Sequence, residues 1–340
     1  MKASKRLPGR FPVLRTLPAF LTLLTGLLYM DSALAAPPAP EKAGESKVTI
    51  EGVVDKKNKV DGDIDTEITN AKIRADSGSK SKWSMSTAMN YKGGEISRPF
   101  GIQRPYLSGL PETQTDTSLD ASFRARYRPT KGESLSAGVS FGAKTPFHGD
   151  TNANENQVNV GDPFLGYNRT FAAIGLQNTW NILSSFGTSD ESKNVDQIAS
   201  VATDYTLMKA FASGLHIGVT ASTWYNFFDT GAGDNKAMAI KGAGDKHDKR
   251  TEWMATVHPT AEFYINDTYS IRALFAWFRW KHQYGDAQNF RMLRVKEYQS
   301  LGVGVVVTRD IYLYPNVQFL PRDIRSDYTN VGFSATLNVF

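Results

Sequence analysis

The strongest constraint on this chain is a two-residue period that runs from Trp83 almost to its end. Leu119, Ala121, Phe123, Ala125 and Tyr127 alternate with Asp120, Ser122, Arg124 and Arg126. Leu135, Ala137, Val139, Phe141 and Ala143 alternate in the same way with Ser134, Ser136, Gly138, Ser140 and Gly142. At the C-terminus Val331, Phe333, Ala335, Leu337 and Val339 alternate with Gly332, Ser334, Thr336 and Asn338, and the last residue is Phe340. Successive side chains of an extended strand point to opposite faces, so each run makes a strand with one apolar and one polar face. Helices are thereby excluded as the main element, and the apolar faces must all be covered by something.

About twelve such segments occur, and the lengths of their connections sort by parity. Long polar connections follow the first, third, seventh and ninth segments, among them Gly93–Asp116, Lys144–Asp162 and Asp229–Lys249. Short ones follow the second, fourth, sixth, eighth and tenth, such as Pro129–Gly132, Asn266–Asp267 and Thr308–Asp310, and those after the fifth and eleventh are intermediate. A soluble β-sandwich has the same alternation but no reason to segregate loop lengths. A transmembrane antiparallel up-and-down β-barrel has one, because its turns and its loops face different compartments. Aromatic residues fall at segment ends, with Trp83, Tyr127, Phe263 and Tyr269 towards one boundary and Tyr91, Phe141, Tyr225, Phe227, Trp253 and Trp277 towards the other. Two such belts suit the two interfaces of a bilayer. Pro259 and Pro315 fall inside segments, where each removes a ladder donor, so local bulges are expected there.

A strand that ends the chain on an aromatic residue resembles the closing strand of Gram-negative outer-membrane β-barrels. The resemblance is architectural, porin-like, and covers roughly residues 80–340; it identifies no subfamily. It implies a place in the outer membrane, outer-membrane lipid around the apolar face, and recognition of the C-terminal strand, ending at Phe340, by the barrel-assembly machinery. Phe340 is in phase with Asn338, Thr336 and Ser334 rather than with the apolar face, so it is expected to turn into the periplasmic rim or to follow a bulge.

The N-terminus reads as an export signal. Lys2, Lys5, Arg6, Arg10 and Arg15 precede an apolar core from Leu17 to Met30, and Ala33-Leu34-Ala35 supplies a small-x-small cleavage site. Three parts follow: a signal peptide over 1–35, a flexible periplasmic segment over 36–79, and the barrel over 80–340. Within the second part, Ile68 to Ala75 reads as a short strand or an inward tuck. The chain carries 39 basic and 34 acidic residues, and residues 1–35 hold five of the basic residues and one acid. The mature part is therefore nearly neutral, which removes support for a nucleic-acid partner. With no cysteine there is neither a disulfide framework nor a lipid-attachment thiol.

If the polar faces turn inward, the lumen is lined by Ser, Thr, Gly and Asn together with Asp120, Arg124, Arg126, Asp204, His216, Glu252, His258, Glu262 and Arg272. A three-residue turn at 266–268 sets Glu262 opposite Arg272 as a cross-strand ion pair. Mixed charge and many small residues point to a narrow diffusion channel for small hydrophilic solutes, tuned by the Arg124/Arg126 step and the Glu262/Arg272 pair. Two alternatives have different chemistry. One is a barrel enzyme acting on lipid, of the phospholipase or deacylase type, for which His258 and Glu262 share a face but no nucleophilic serine stands out. The other is a structural or adhesive barrel acting through its loops. No cofactor or catalytic residue is expected. No metal site is expected either, since Asp150, Asn152, Asn154 and Asp162 lack the regular calcium-loop spacing.

Overall fold

A computed structural model describes residues 64–105, 114–148, 157–229, 250–275, 278–283, 291–293 and 299–339. By contacts, every described strand belongs to one compact unit, which takes in Lys47–Ala210 and Gly214–Phe340.

A 3-10 turn over Ile64–Thr66 and a short helix α1 (Ala71–Asp76) lead into the strands. These are β1 (Trp83–Glu95), β2 (Gln103–Pro105), β3 (Gln114–Asp116), β4 (Ser118–Thr130), β5 (Glu133–Lys144), β6 (Val158–Ala173), β7 (Leu176–Phe186) and β8 (Gln197–Ala210). After them come β9 (Leu215–Phe228), β10 (Thr251–Tyr264), β11 (Tyr269–Phe275), β12 (Phe278–Gln283), β13 (Arg291–Leu293), β14 (Gln299–Thr308), β15 (Ile311–Phe319) and β16 (Asn330–Val339). A second helix, α2 (Asp190–Asn194), joins β7 to β8.

Every neighbouring pair is antiparallel, and β16 pairs with β1 from Met85↔Val339 to Glu95↔Asn330, which closes the sheet. β11 and β12 continue one line, as do β14 and β13, and β2–β3 is a separate hairpin, so the wall is a closed barrel of 12 strands. Closure leaves no unpaired sheet edge, the condition for a sheet in a bilayer, where no water satisfies free N–H and C=O groups. Strand faces follow the alternation in the sequence. Trp83 is 63% exposed, Phe123 47% and Phe263 46%, while the residues next to them, Ser84 and Glu262, are buried. Exposed apolar side chains thus cover the outside, and the polar set turns in. Aromatic pairs stand at both boundaries, Trp83–Tyr127 across β1 and β4 with ring centroids 4.7 Å apart and Tyr225–Phe227 along β9 at 4.8 Å. This is an outer-membrane-type barrel.

The two prolines behave differently. On the β11–β12 side of β10, Thr260 opposes Leu274 whereas Val257 opposes Phe278. The partner line thus gains one residue on β10 across the Pro259 position, which is the expected bulge. At Pro315 no bulge occurs. The pairing of β15 with β14 lapses opposite Val303 and Gly304 and resumes in the same register, and Pro315 itself opposes Phe333 on β16. A proline without a ladder donor is accommodated here by omitting the bonds rather than by inserting a residue. Phe340 and Trp277 lie outside the described residues.

The expectation of a flexible segment over 36–79 fails for its described part. Residues 64–79 are folded, with Ile64, Ile68, Ala71, Ile73 and Ala75 all buried, because the barrel supplies an enclosed surface for them. Residues 36–63 lie outside the described residues.

The face assignment has a direct test. Phe123→Arg puts a charge on the lipid side of β4 and should cost about 2–4 kcal/mol in urea unfolding from vesicles. Asn90→Arg, on the inner face of β1, should cost less than about 1 kcal/mol. Equal losses would contradict the assigned faces.

Candidate functional site: a plugged lumen

The segment 64–81 lies across the lumen at the end of the short turns. Its local signals are ordinary ones. Ile64 and Ile68 sit four residues apart and pack with Ile73 and Met208. Asn70 caps α1, its Oδ1 accepting the Ile73 N–H at 3.0 Å. Gly78 follows the helix at φ +87, a conformation that favours glycine, and a Cβ there would stand 2.9 Å from Arg126 Nη1 and displace that side chain. Six residues are too few for a helix to persist alone, so the wall must hold α1 in place.

The wall does so by satisfying both ends of the helix. At the N-terminal end Gln177 Oε1 accepts the Thr69 and Asn70 N–H groups at 3.1 and 3.0 Å, and the Tyr264 hydroxyl accepts the Ala71 N–H at 2.9 Å. At the C-terminal end Asn338 Nδ2 donates to Ala75 O (2.8 Å), Arg126 Nη1 to Asp76 O (2.9 Å) and Arg128 Nη2 to Ser77 O (2.6 Å) and Gly78 O (3.0 Å). These are the groups a helix leaves without internal partners. Positive charge at the carbonyl end also suits the helix dipole. Arg309, in the turn after β14, bonds Asp65 and Gly78 O and pairs with Asp310. Burial alone would lower its pKa, but the hydrogen bonds and charges of Asp65 and Asp310 outweigh that and raise it. Lys131 reaches Glu67 at 2.6 Å and Lys80 reaches Asp65 at 3.1 Å.

Beneath these contacts Glu262 is a hub with 0% exposure. Its Oε1 accepts from Ser270 Oγ (2.7 Å) and Tyr312 OH (3.1 Å), and its Oε2 from Asn70 Nδ2 (2.9 Å) and Arg272 Nη1 (3.2 Å). The Glu262↔Arg272 pairing read from the turn is present. Its expected role in tuning passage does not fit the geometry, because the pair is buried against the plug and holds Asn70. Nor is Glu262 available to orient His258, since its two oxygens are taken by those four donors. His258 stands on the inner side of β10, opposite Thr220. His216, also buried, stands beside Asn70 Nδ2 at 3.4 Å and against the Tyr264 ring.

Above α1 a cavity of about 230 Å³ is lined by Asp76 of the plug and by Arg124, Arg126, Asn168, Asn181 and Asp204. Towards the long-loop end a wider space of about 540 Å³ is bordered by Asn90, Asp120, Ser122, Ser140, Asn159 and Glu191. Asp120 is paired there with Lys92 at 2.6 Å. Glu252 leaves the lumen set. It sits at a register shift between Thr251 and Trp253 and bonds Tyr225 OH (2.7 Å) and His282 Nδ1 (2.9 Å). Both partners oppose Trp253, so they stand on the outward face. The bulge swings the carboxylate out of phase, which strict alternation could not show.

Among the described residues no cluster of His, Cys, Asp and Glu could hold a metal ion. Asp162 has a structural use instead, accepting from Thr188 N (2.8 Å), Ser189 N (2.7 Å) and Ser192 Oγ and so folding the loop around α2. Asp150, Asn152 and Asn154 lie outside the described residues. Reading strands alone missed Asn70, Arg128, Gln177, Tyr264, Arg309 and Asn338. The inward tuck of 68–75 was visible, and Arg128 extends the Arg124–Arg126 parity, but the long-range partners of the plug were not.

A family model described as "Putative MetA-pathway of phenol degradation" matches residues 52–251. No curated protein matches the chain by sequence. Solved structures give distant likenesses. The COG4313 outer membrane channel from Pseudomonas putida F1 aligns at 9% identity and a TM-score of 0.49, covering 78% of this chain and 98% of that one. LpxR from Salmonella typhimurium aligns at 10% identity and 0.37, covering 76% and 99%. A TodX monoaromatic hydrocarbon channel mutant aligns at 9% and 0.32, covering 75% and 87%.

Two variants probe the plug. Asn70→Ala loses both the cap and the bond to Glu262, so amide hydrogen exchange over 69–77 should speed up while β7 and β8 stay protected. Unchanged exchange would remove Asn70 as an anchor. Glu262→Ala strands a buried Arg272 and should cost about 3–5 kcal/mol of stability, read by urea unfolding, with Glu262→Gln costing less.

Proposed function

Because the chain belongs to the family described as "Putative MetA-pathway of phenol degradation", whose model spans more than half of it, we propose that its barrel is an outer-membrane channel for small polar solutes, phenolic compounds among them. The observation that carries this reading is the inner wall. The space of about 540 Å³ mixes polar side chains such as Asn90, Asp120 and Ser140 with apolar surface; the one of about 230 Å³ is lined by Arg124, Arg126 and Asn168 and ends on a segment held by hydrogen bonds rather than on strands of the wall. Water and small hydrophilic molecules suit such a lining, and a lumen of this size excludes bulky cargo. A phenol joins a small ring to a hydrogen-bonding hydroxyl, which agrees with both the polar lumen and the family description. In this reading outer-membrane lipid covers the apolar outside, residues 1–35 direct export and are removed, and the C-terminal strand engages the barrel-assembly machinery. The barrel does no covalent chemistry.

In planar bilayers the wild-type protein should give small conductance steps, since α1 stands in the lumen. Ile68→Asp forces a charge into the apolar contact with Ile64, Ile73 and Met208. It should release the segment and raise the step size severalfold. A protein that inserts yet stays silent, as wild type and as Ile68→Asp, would overturn the channel.

A further inference from the structure

We propose that the cavity above α1 is a binding subsite for a small carboxylate, held by Arg124 and Arg126. The inference rests on the channel reading for its place on a transport route and adds a substrate class to it. The charges of the lumen are not equivalent once their partners are counted. Asp120 is neutralised by Lys92 and Glu262 by Arg272, while Glu252 lies outside. Arg124 and Arg126 form no ion pair with any described carboxylate. Arg124 Nη2 donates only to Ser122 Oγ at 3.1 Å, and its guanidinium lies 5.4 Å from the centre of the Phe164 ring. Arg126 is 7% exposed and gives Nη1 to Asp76 O. The Nε atoms of both residues are buried without any acceptor.

Two guanidinium groups that border a cavity without an ion-pair partner are costly to keep, because their desolvation is not repaid. Arginine offers five donors in a planar fork that matches a carboxylate, and two such forks two residues apart on one strand face the same cavity. Two carboxylates, Asp76 and Asp204, share the space, and neither forms an ion pair with Arg124 or Arg126. Asp76 is paired with Lys72 and accepts from Thr336. Asp204 enters the cavity from β8 and forms no ion pair with either arginine. At about 230 Å³ the cavity is smaller than drug-sized sites, so the ligand is a small acid. Benzoate is a carboxylate of suitable size. Because Arg126 also holds Asp76 O, the bound acid would sit directly on the plug.

Binding of benzoate to the purified full chain in detergent tests this without any transport step, with uncharged benzyl alcohol as the comparison. Wild type should bind benzoate more tightly than benzyl alcohol. Arg124→Gln should weaken benzoate at least tenfold, the scale of one lost charged hydrogen bond, and leave benzyl alcohol unchanged. Arg124→Lys, which keeps the charge and loses the fork, should fall between them. Heat-modifiable migration in gels shows whether each variant is still a folded barrel. Equal benzoate affinity in wild type and folded Arg124→Gln, or no benzoate binding by wild type, would overturn the subsite. If benzoate binds in this pattern while bilayers stay silent, the site stands and the channel falls. If bilayers conduct and benzoate does not bind, the channel stands and the site falls.

Discussion

Everything in this molecule depends on the closure of its sheet. A backbone N–H or C=O exposed to hydrocarbon has no partner, so a sheet survives in a membrane only when its first and last strands pair. Here that bond row is β1 with β16, continuous from Met85↔Val339 to Lys92↔Gly332. Once the seam exists the two faces acquire opposite meanings. The outer face becomes a surface for lipid, and the inner face becomes an enclosed polar space that can hold water, solutes or a piece of the chain.

The chain uses that space for its own segment. Six residues of helix would not persist in water, yet α1 is ordered because its orphan N–H and C=O groups meet Gln177, Tyr264, Arg126, Arg128 and Asn338 on the wall. The same groups would have been left unsatisfied inside the lumen, so the wall and the plug complete one another. Above the plug the arrangement differs. Arg124 and Arg126 border the cavity without an ion-pair partner, in contrast to Glu262, whose two oxygens take four donors.

Much of the wall was legible in the sequence because the period of a strand is two and a bilayer punishes exceptions. Leu176–Phe186, a segment with weak alternation, is still β7 to the residue, bounded by the Ile174–Gly175 turn whose residues have positive φ. The cross-strand pair Glu262–Arg272 followed from turn length alone. Legibility failed where one residue was inserted or where contacts were remote. The shift between Thr251 and Trp253 turned Glu252 outward, and a single slip reverses a side chain. Composition made 36–79 look flexible because five buried apolar residues seem too few for a core. They suffice when a barrel supplies the other half, and nothing local to Asn70 announces a partner at Glu262, 192 positions away.

The position of α1 also fixes an order of events. Asn338, on the last strand, bonds Ser86 on the first strand and Ala75 in the plug at once. The remaining contacts of the segment are spread over β4, β7, β8, β9 and β10 and over the turns that hold Lys131 and Arg309. Its full set of bonds therefore cannot exist until strands from both halves of the chain stand in place. Seam and stopper therefore share a residue, and each is complete only where the other is. A lesion at Asn338 would consequently register as a fault of barrel assembly as well as of lumen closure.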